Sequence, residues 1–404
     1  MKKRCILLYH FYHPDDVISA QLFTELAEFF AANGLEPEVW TSNRYCHEAL
    51  NVKKIQPPVE VLNGVKIRRF SRPDFPQHSN TGRLLNSFWI SQKWLWRLWF
   101  QRYSDTVIIG TDPQFGFYII PLVKLFRPKI KFILWDFDLY PDAVYASGKK
   151  FPGFIKRMIN FYTALCYKKA ALIADLGECM KKRIADYTDK VQMTTLVPWA
   201  LKESYIVAPP DPEVRKKLFG ETKLTLLYSG TLGQAHCFDE FVALARECRR
   251  RNASISFCFA GRGKFYDILK TKITPEDTNI HFAGFASEDE LKKRLEAADI
   301  TMISLRPDWD GVVLPSKYFG SLAVGRPVLY CGSENSDIKK WIEQSGAGLF
   351  MKNGDIGDCA GRLQRIAENR LLLADMQQKA LDFYRQNFSK EIVCNKFMDE
   401  LSKL

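Results

Sequence analysis

The segment Leu305-Arg306-Pro307-Asp308-Trp309-Asp310-Gly311-Val312-Val313-Leu314-Pro315-Ser316-Lys317-Tyr318-Phe319-Gly320-Ser321-Leu322-Ala323-Val324-Gly325-Arg326-Pro327-Val328 joins two short apolar runs, Ile300–Ser304 and Val328–Cys331. Both runs have the length and composition of buried strands, and Pro315-Ser316 between them fits a helix start. Apolar strands alternating with helices argue for a parallel sheet covered on both faces. The helix start puts Lys317 in the first turn, where the helix dipole opposes a cation. An anion would neutralise it there, so Lys317 as a phosphate ligand satisfies both demands. The plain alternative is an exposed lysine with no ligand.

Two further loops lie upstream in the same half. Leu226-Leu227-Tyr228-Ser229-Gly230-Thr231-Leu232-Gly233-Gln234-Ala235-His236 is a strand running into a glycine loop before a helix. Gly230 and Gly233 let the backbone turn tightly and approach a ligand, and the following helix aims free N–H groups at an anion. Ala260-Gly261-Arg262-Gly263-Lys264 follows the next strand, and its two glycines with Arg and Lys again suit a diphosphate. A solvated basic turn explains that loop equally well.

The alternation extends over the rest of the chain. Strands are expected at Arg4–Tyr9, Glu38–Thr41, Val65–Phe70, Thr106–Gly110, Lys131–Asp136, Leu172–Asp175 and Met193–Val197. In the second half they are expected at Leu224–Ser229, Ser254–Ala260, Ile280–Phe282, Ile300–Ser304, Val328–Cys331 and Gly348–Phe350. A helix over Ala20–Asn33 is stopped by Gly34. Ala208-Pro209-Pro210-Asp211-Pro212 reads as a linker. The expectation is an α/β protein of two Rossmann-like, doubly wound parallel-sheet domains facing across a cleft, with the ligand at the carboxyl ends of the strands. The boundaries drawn are 1–200, 201–385 and a C-terminal helix over 386–404 packing back on the first domain.

Composition bounds the function. At 404 residues, 47% hydrophobic and 26% charged, the chain is an ordinary globular one. A net charge of +12 suggests attraction to phosphate ligands, nucleic acid or a lipid surface. Ten scattered cysteines without a CxxC pair argue against a stapled scaffold or structural zinc and for reduced cytosolic thiols. After Met1-Lys2-Lys3-Arg4 the apolar run ends at Tyr9, too short for a signal or a spanning helix, so a cytoplasmic protein is expected.

Tyr228–His236, Pro315-Ser316-Lys317 and Ala323-Val324-Gly325-Arg326-Pro327-Val328 together resemble the nucleotide-sugar domain of retaining glycosyltransferases of family 4, on the GT-B fold. The branch it resembles makes bacterial surface polysaccharides, capsules and O-antigens. In the first half, Gly110-Thr111-Asp112-Pro113 and Asp138-Leu139-Tyr140-Pro141-Asp142 are similar to that branch's TDP-like and DLYPE-like loops, and Val197-Pro198-Trp199 to the segment before its hinge. One departure stands out. The family's two glutamates, eight residues apart, fall on Val312 and Gly320, which leaves ribose recognition open. Glu334 or Asp337 could supply a carboxylate to the ribose, although an ordinary helix N-cap explains Asp337 equally well.

The resemblance implies transfer of a hexosyl or N-acetylhexosaminyl residue from a nucleotide-sugar, UDP being the commonest nucleotide, with retention, without cofactor and without essential metal. Gly230, Thr231, Gly233, His236, Gly261, Gly263, Arg306, Pro315 and Ser316 would surround the donor. Gly230–Gly233 amides with Arg262 and Lys317 would stabilise the leaving diphosphate. Asp138, ending a strand, would orient or deprotonate the acceptor hydroxyl, unless it only caps the turn before Pro141. The alternatives are a GT-B sugar-nucleotide epimerase and a catalytically weak binding or scaffold protein.

The first half also carries Ser87-Phe88-Trp89-Ile90-Ser91-Gln92-Lys93-Trp94-Leu95-Trp96-Arg97-Leu98-Trp99-Phe100. On a helix Trp89, Trp96, Trp99, Phe100 and Tyr103 share one face, while Lys93, Arg97 and Gln101 form a narrow polar stripe. So much apolar circumference means deep burial or contact with lipid. With Lys149-Lys150-Phe151, Lys156-Arg157 and Lys168-Lys169, segments 87–103 and 149–169 suit an anionic headgroup layer. A peripheral site on the inner face of the cell membrane then fits the polyprenyl diphosphate-linked glycan acceptors common in the family. The alternative is a core helix with a solvated basic rim. Nucleic acid is not expected as a partner, because no recognised module is present.

Overall fold

The computed structural model describes residues 4–46, 55–77, 79–101, 106–352 and 354–404. The Met1–Lys3 flank and Tyr103, on which the sequence reading drew, lie outside these. The chain forms two compact units. One takes Met1–Val197, Gly311–Leu314 and Cys394–Leu404; the other takes Pro198–Asp310 and Pro315–Val393.

The first unit is built on β1 (Arg4–Leu8), β2 (Glu36–Ser42), β3 (Val59–Leu62), β4 (Val65–Phe70), β5 (Thr106–Gly110), β6 (Lys131–Trp135), β7 (Leu172–Asp175) and β8 (Met193–Thr195). They lie in the order β3-β4-β2-β1-β5-β6-β7-β8, and all neighbours are parallel except β3 with β4. Continuous apolar strands such as Cys5-Ile6-Leu7-Leu8 and Val107-Ile108-Ile109 are buried on both faces, as a parallel sheet under two helix layers requires. The antiparallel edge strand β3 escaped the sequence reading. It pairs with β4 through the two-residue turn Asn63-Gly64, both with positive φ (49° and 79°), as a primed hairpin turn demands.

The helix Asn80–Trp99 packs Ile90, Trp94, Leu95 and Leu98 into this core; on the same side Ser91 Oγ donates to the Ser87 carbonyl at 2.7 Å and Asn86 Nδ2 to the Phe75 carbonyl at 2.9 Å. At the chain's end the helix Lys390–Lys403 brings Phe397 to ring-centroid distances of 5.5 Å from Trp135 and 5.6 Å from Phe30, and Lys396 Nζ donates to the Thr195 carbonyl at 2.9 Å.

The second unit is built on β9 (Leu224–Thr231), β10 (Ile255–Arg262), β11 (Ile280–Ala283), β12 (Ile300–Ser304), β13 (Val328–Cys331) and β14 (Gly348–Met351), all parallel, in the order β11-β10-β9-β12-β13-β14. Strand order reverses between β9 and β12, and between β1 and β5 in the first unit. At such points the loops leaving neighbouring strands diverge to opposite faces and open a crevice for a ligand.

The expected Pro-rich linker needs correction. Pro212 opens the helix Pro212–Phe219, where its missing N–H is no loss, and Asp211 caps it by accepting from the amides of Glu213 and Val214. The Ala208 carbonyl is held at 2.7 Å by the fully buried Arg326, which also donates to the Glu296 carbonyl at 2.7 Å. Arg326 is therefore a structural clip.

Candidate functional site

The reversal point of the second unit gathers the predicted loops. The turn after β9 is fastened to the end of β12: the Cys237 amide donates to Ser304 Oγ at 3.1 Å and the Arg306 amide to the Ala235 carbonyl at 2.8 Å. Gly230 stands at φ +132°, and a Cβ there would meet Lys317 Cε at 2.5 Å. Only glycine lets the lysine lie flat against the strand end. Lys317 Nζ then sits 5.3 Å from the centroid of the Tyr228 ring. No carboxylate pairs with Lys317 among the described residues, and burial pulls its ammonium down to about 8. A cation partly desolvated and without a paired carboxylate is poised for an anionic ligand.

The remaining predicted residues divide. Gly261 lies beside Gly230 in register, with no room for a Cβ between the two strand ends. Gly233 opens onto free space, and Thr231 and Arg262 are exposed at the ends of β9 and β10. The Arg262 guanidinium lies 4.0 Å from the Phe285 ring centroid, a cation–π contact that holds it outside the core. Gly263 precedes the helix Lys264–Thr271. Pro315 is buried and Ser316 caps Lys317–Ala323 through its backbone position without a side-chain bond. Arg306 is exposed and within 3.9 Å of Asp308, while its amide anchors the loop. Glu334 is exposed and paired with Lys352 at 2.6 Å, which holds its carboxyl below the usual range. Asp337 is not an N-cap: Ser336 fills that place, accepting from the Lys339 amide, and Asp337 is the first helical residue, 3.7 Å from Lys340.

His236 is anchored through its ring. Its Nδ1 lies 2.6 Å from the Ser304 carbonyl oxygen, and burial together with the Lys317 charge lowers its pKa to about 4. The imidazole is neutral at physiological pH.

In the first unit the strand ends beside the β1/β5 reversal carry a second cluster that the sequence reading only half saw. His10 Nδ1 lies 3.1 Å from Asp112 Oδ1, joining the residues that follow β1 and β5. Burial lowers the His10 pKa despite that partner. Asp138, just beyond β6, has its carboxyl raised to about 6, first by burial and then by Asp112. Its backbone forms an isolated bridge with Val313. Val312, at one of the two positions where glutamate was expected, is fully buried, and its carbonyl accepts from the Leu139 amide at 2.8 Å. Gly320, at the other, faces open space. Neither supplies a carboxylate. Among the described residues no group of three His, Cys, Asp or Glu is arranged to hold a metal ion, and no helix is long and apolar enough to cross a membrane.

Comparison with known proteins gives the class. Residues 211–383 match the family model for glycosyl transferases group 1. Through this segment the chain carries a glycosyl transferases group 1 domain, and the protein is a glycosyltransferase. The probable glycosyltransferase WbjE of Pseudomonas aeruginosa is 23% identical over 303 residues, 73% of this chain and 74% of that protein. The amylovoran biosynthesis glycosyltransferase AmsK of Erwinia amylovora is 25% identical over 167 residues, 40% of each chain. Among solved structures, sucrose-phosphate synthase from Thermosynechococcus elongatus superposes with a TM-score of 0.72 at 13% identity, covering 100% of this chain and 98% of that one. Anabaena HepE, solved with UDP and glucose, gives 0.67 at 12% identity with both chains fully covered. These place the fold as GT-B.

Proposed function

We propose that this glycosyltransferase moves a hexosyl or N-acetylhexosaminyl residue from a UDP-sugar to a lipid-linked glycan, with retention, in bacterial surface polysaccharide biosynthesis. The observation that carries the reading is Lys317, partly desolvated, without a paired carboxylate and laid against Gly230 at the reversal point. Supporting it, AmsK is named for amylovoran biosynthesis and HepE was solved with UDP and glucose. In the proposed reaction the bond from the anomeric carbon to the diphosphate oxygen breaks, and the acceptor oxygen bonds to that carbon on the same face. Lys317 and Arg262 neutralise the charge growing on the diphosphate, so no metal is assigned a part. Asp138, ionised above about pH 6, orients or deprotonates the acceptor hydroxyl. Replacing Lys317 with Ala should lower turnover by about a hundredfold or more. It should also abolish the thermal shift that UDP, among UDP, GDP and ADP, gives the wild type. Near-normal turnover in this variant refutes the role.

The lost carboxylates at Val312 and Gly320 favour one second reading, a catalytically weak nucleotide-sugar-binding protein. Sugar transfer to any acceptor rules it out.

We further propose that the first unit rests on an anionic membrane. Residues 79–101, 113–131 and 143–169 hold many lysines and arginines and no Asp or Glu. Their helices are neighbours: Trp99 Nε1 donates to the Leu122 carbonyl at 3.1 Å, and Tyr162 Oη to the Tyr118 carbonyl at 3.0 Å. Outward they present Trp89, Trp96, Phe100, Leu125, Phe126, Phe154, Met158 and Phe161, all exposed. Lys124 is lowered by partial burial and by the like charges of Lys169 and Lys131, a repulsion that acidic headgroups would relieve.

A further inference from the structure

We infer that His236 accepts a hydrogen bond from a hydroxyl of the bound nucleotide-sugar, performing the recognition for which Val312 and Gly320 have no carboxylate. The inference rests on the donor-site reading above. A carbonyl oxygen can only accept, so the 2.6 Å contact with Ser304 fixes the ring proton on Nδ1. The neutral ring then offers Nε2 as a bare lone pair, with no hydrogen-bond partner seen among the described residues. A second proton on the ring is opposed by burial and by the Lys317 ammonium. A lone pair repels phosphate oxygens, so Nε2 is unsuited to the diphosphate and suited to an O–H donor. His236 and Lys317 Nζ both stand around the Tyr228 ring, at 6.0 Å between ring centroids and 5.3 Å from Nζ to the centroid. With Lys317 on the diphosphate, the groups bonded on either side of it, the ribose and the transferred sugar, are the ones within reach; the base lies a whole ribose further away. The ring is also preorganised. The amides of Cys237 and Arg306 tie the loop to the end of β12 on both sides of the imidazole's anchor.

Isothermal calorimetry at pH 7.5 on wild type, His236→Ala and His236→Gln tests this, using UDP, GDP, ADP, their glucose esters and inorganic diphosphate. For the nucleotide that the wild type prefers, His236→Ala should weaken the glucose ester about tenfold, the value of one lost hydrogen bond. Affinity for inorganic diphosphate should not change. His236→Gln, whose Oε1 restores a lone pair, should recover most of the loss, and it guards against a variant that merely folds poorly. Equal loss for the free nucleotide assigns the ribose hydroxyls; loss for the glucose ester alone assigns a hydroxyl of the transferred sugar. Either supports the inference. An equal loss for inorganic diphosphate, or no loss with any ligand, overturns it. Wild-type protein that binds none of the ligands overturns the donor-site reading itself and this inference with it.

Discussion

An ammonium held near 8 by burial costs the empty protein stability, because the unfolded chain solvates the same group freely. Lys317→Met should therefore stabilise the ligand-free protein at pH 7, by about 1–3 kcal/mol after allowing for partial exposure. The sign follows from the depressed pKa of a base. Between about 8 and the ordinary 10.5 the unfolded chain binds more protons, so wild-type stability climbs with pH across that window. The advantage of the variant should shrink towards pH 10.5, and thermal unfolding at pH 7 and pH 9.5 checks both points. A variant less stable than wild type at pH 7 contradicts this account. Lys317 was legible in the sequence because Pro315-Ser316 marks a helix start and puts the next residue against the dipole. Tyr228 beneath it was not, since an aromatic in an apolar run reads as core. The pairing of His10 with Asp112 depends on β1 lying beside β5, a contact across about a hundred residues that neither local segment announces.

The helix Asn80–Trp99 shows how an element can be read correctly and still leave its orientation open. Its tryptophans promised either burial or an outward apolar face, and the helix has both, on opposite sides. Trp94 is fully buried among Ile90, Leu95 and Leu98, while Trp96 is 56% and Phe100 75% exposed. Periodicity shows a helix apolar over most of its circumference but not which side the sheet takes, and the side it does take also carries Asn86, Ser87 and Ser91. Substitutions should separate the faces. Trp94→Ala should cost about 3–5 kcal/mol through the cavity it leaves. Trp96→Ser with Phe100→Ser should change stability by about 0.5 kcal/mol or less each, yet reduce co-sedimentation with anionic vesicles several-fold. Unchanged vesicle binding in that double variant removes the helix from the membrane proposal. Strands were the most legible elements, since fully apolar runs have few other uses in an α/β chain. The exception, β3, is a four-residue run broken by Glu60, with no position fully buried; the Asn63-Gly64 pair was the available signal, and reading it as a hairpin turn would have found the strand.

At the scale of the whole chain, the two proposed ligands fall on different units. The donor cluster of Tyr228, Gly230, His236, Arg262 and Lys317 belongs entirely to the second unit, and the cationic-aromatic helices entirely to the first. A net charge of +12 cannot by itself assign either partner, because long-range attraction draws phosphate ligands and acidic lipids alike. Amide hydrogen exchange can. Saturating UDP should slow exchange around Gly230–Cys237 and Lys317–Ala323, and at a hundred times its dissociation constant should add about 2.7 kcal/mol to that unit's stability. Vesicles rich in anionic lipid should instead protect residues within 84–100, 120–131 and 149–169, and zwitterionic vesicles should do so far less. Raising the salt from 0.05 to about 0.5 M should remove much of that protection, since exposed charges are screened within a few ångströms at that strength. Protection by vesicles confined to the second unit would show that the exposed aromatic helices serve some other partner, and that the basic surplus is chiefly the donor's.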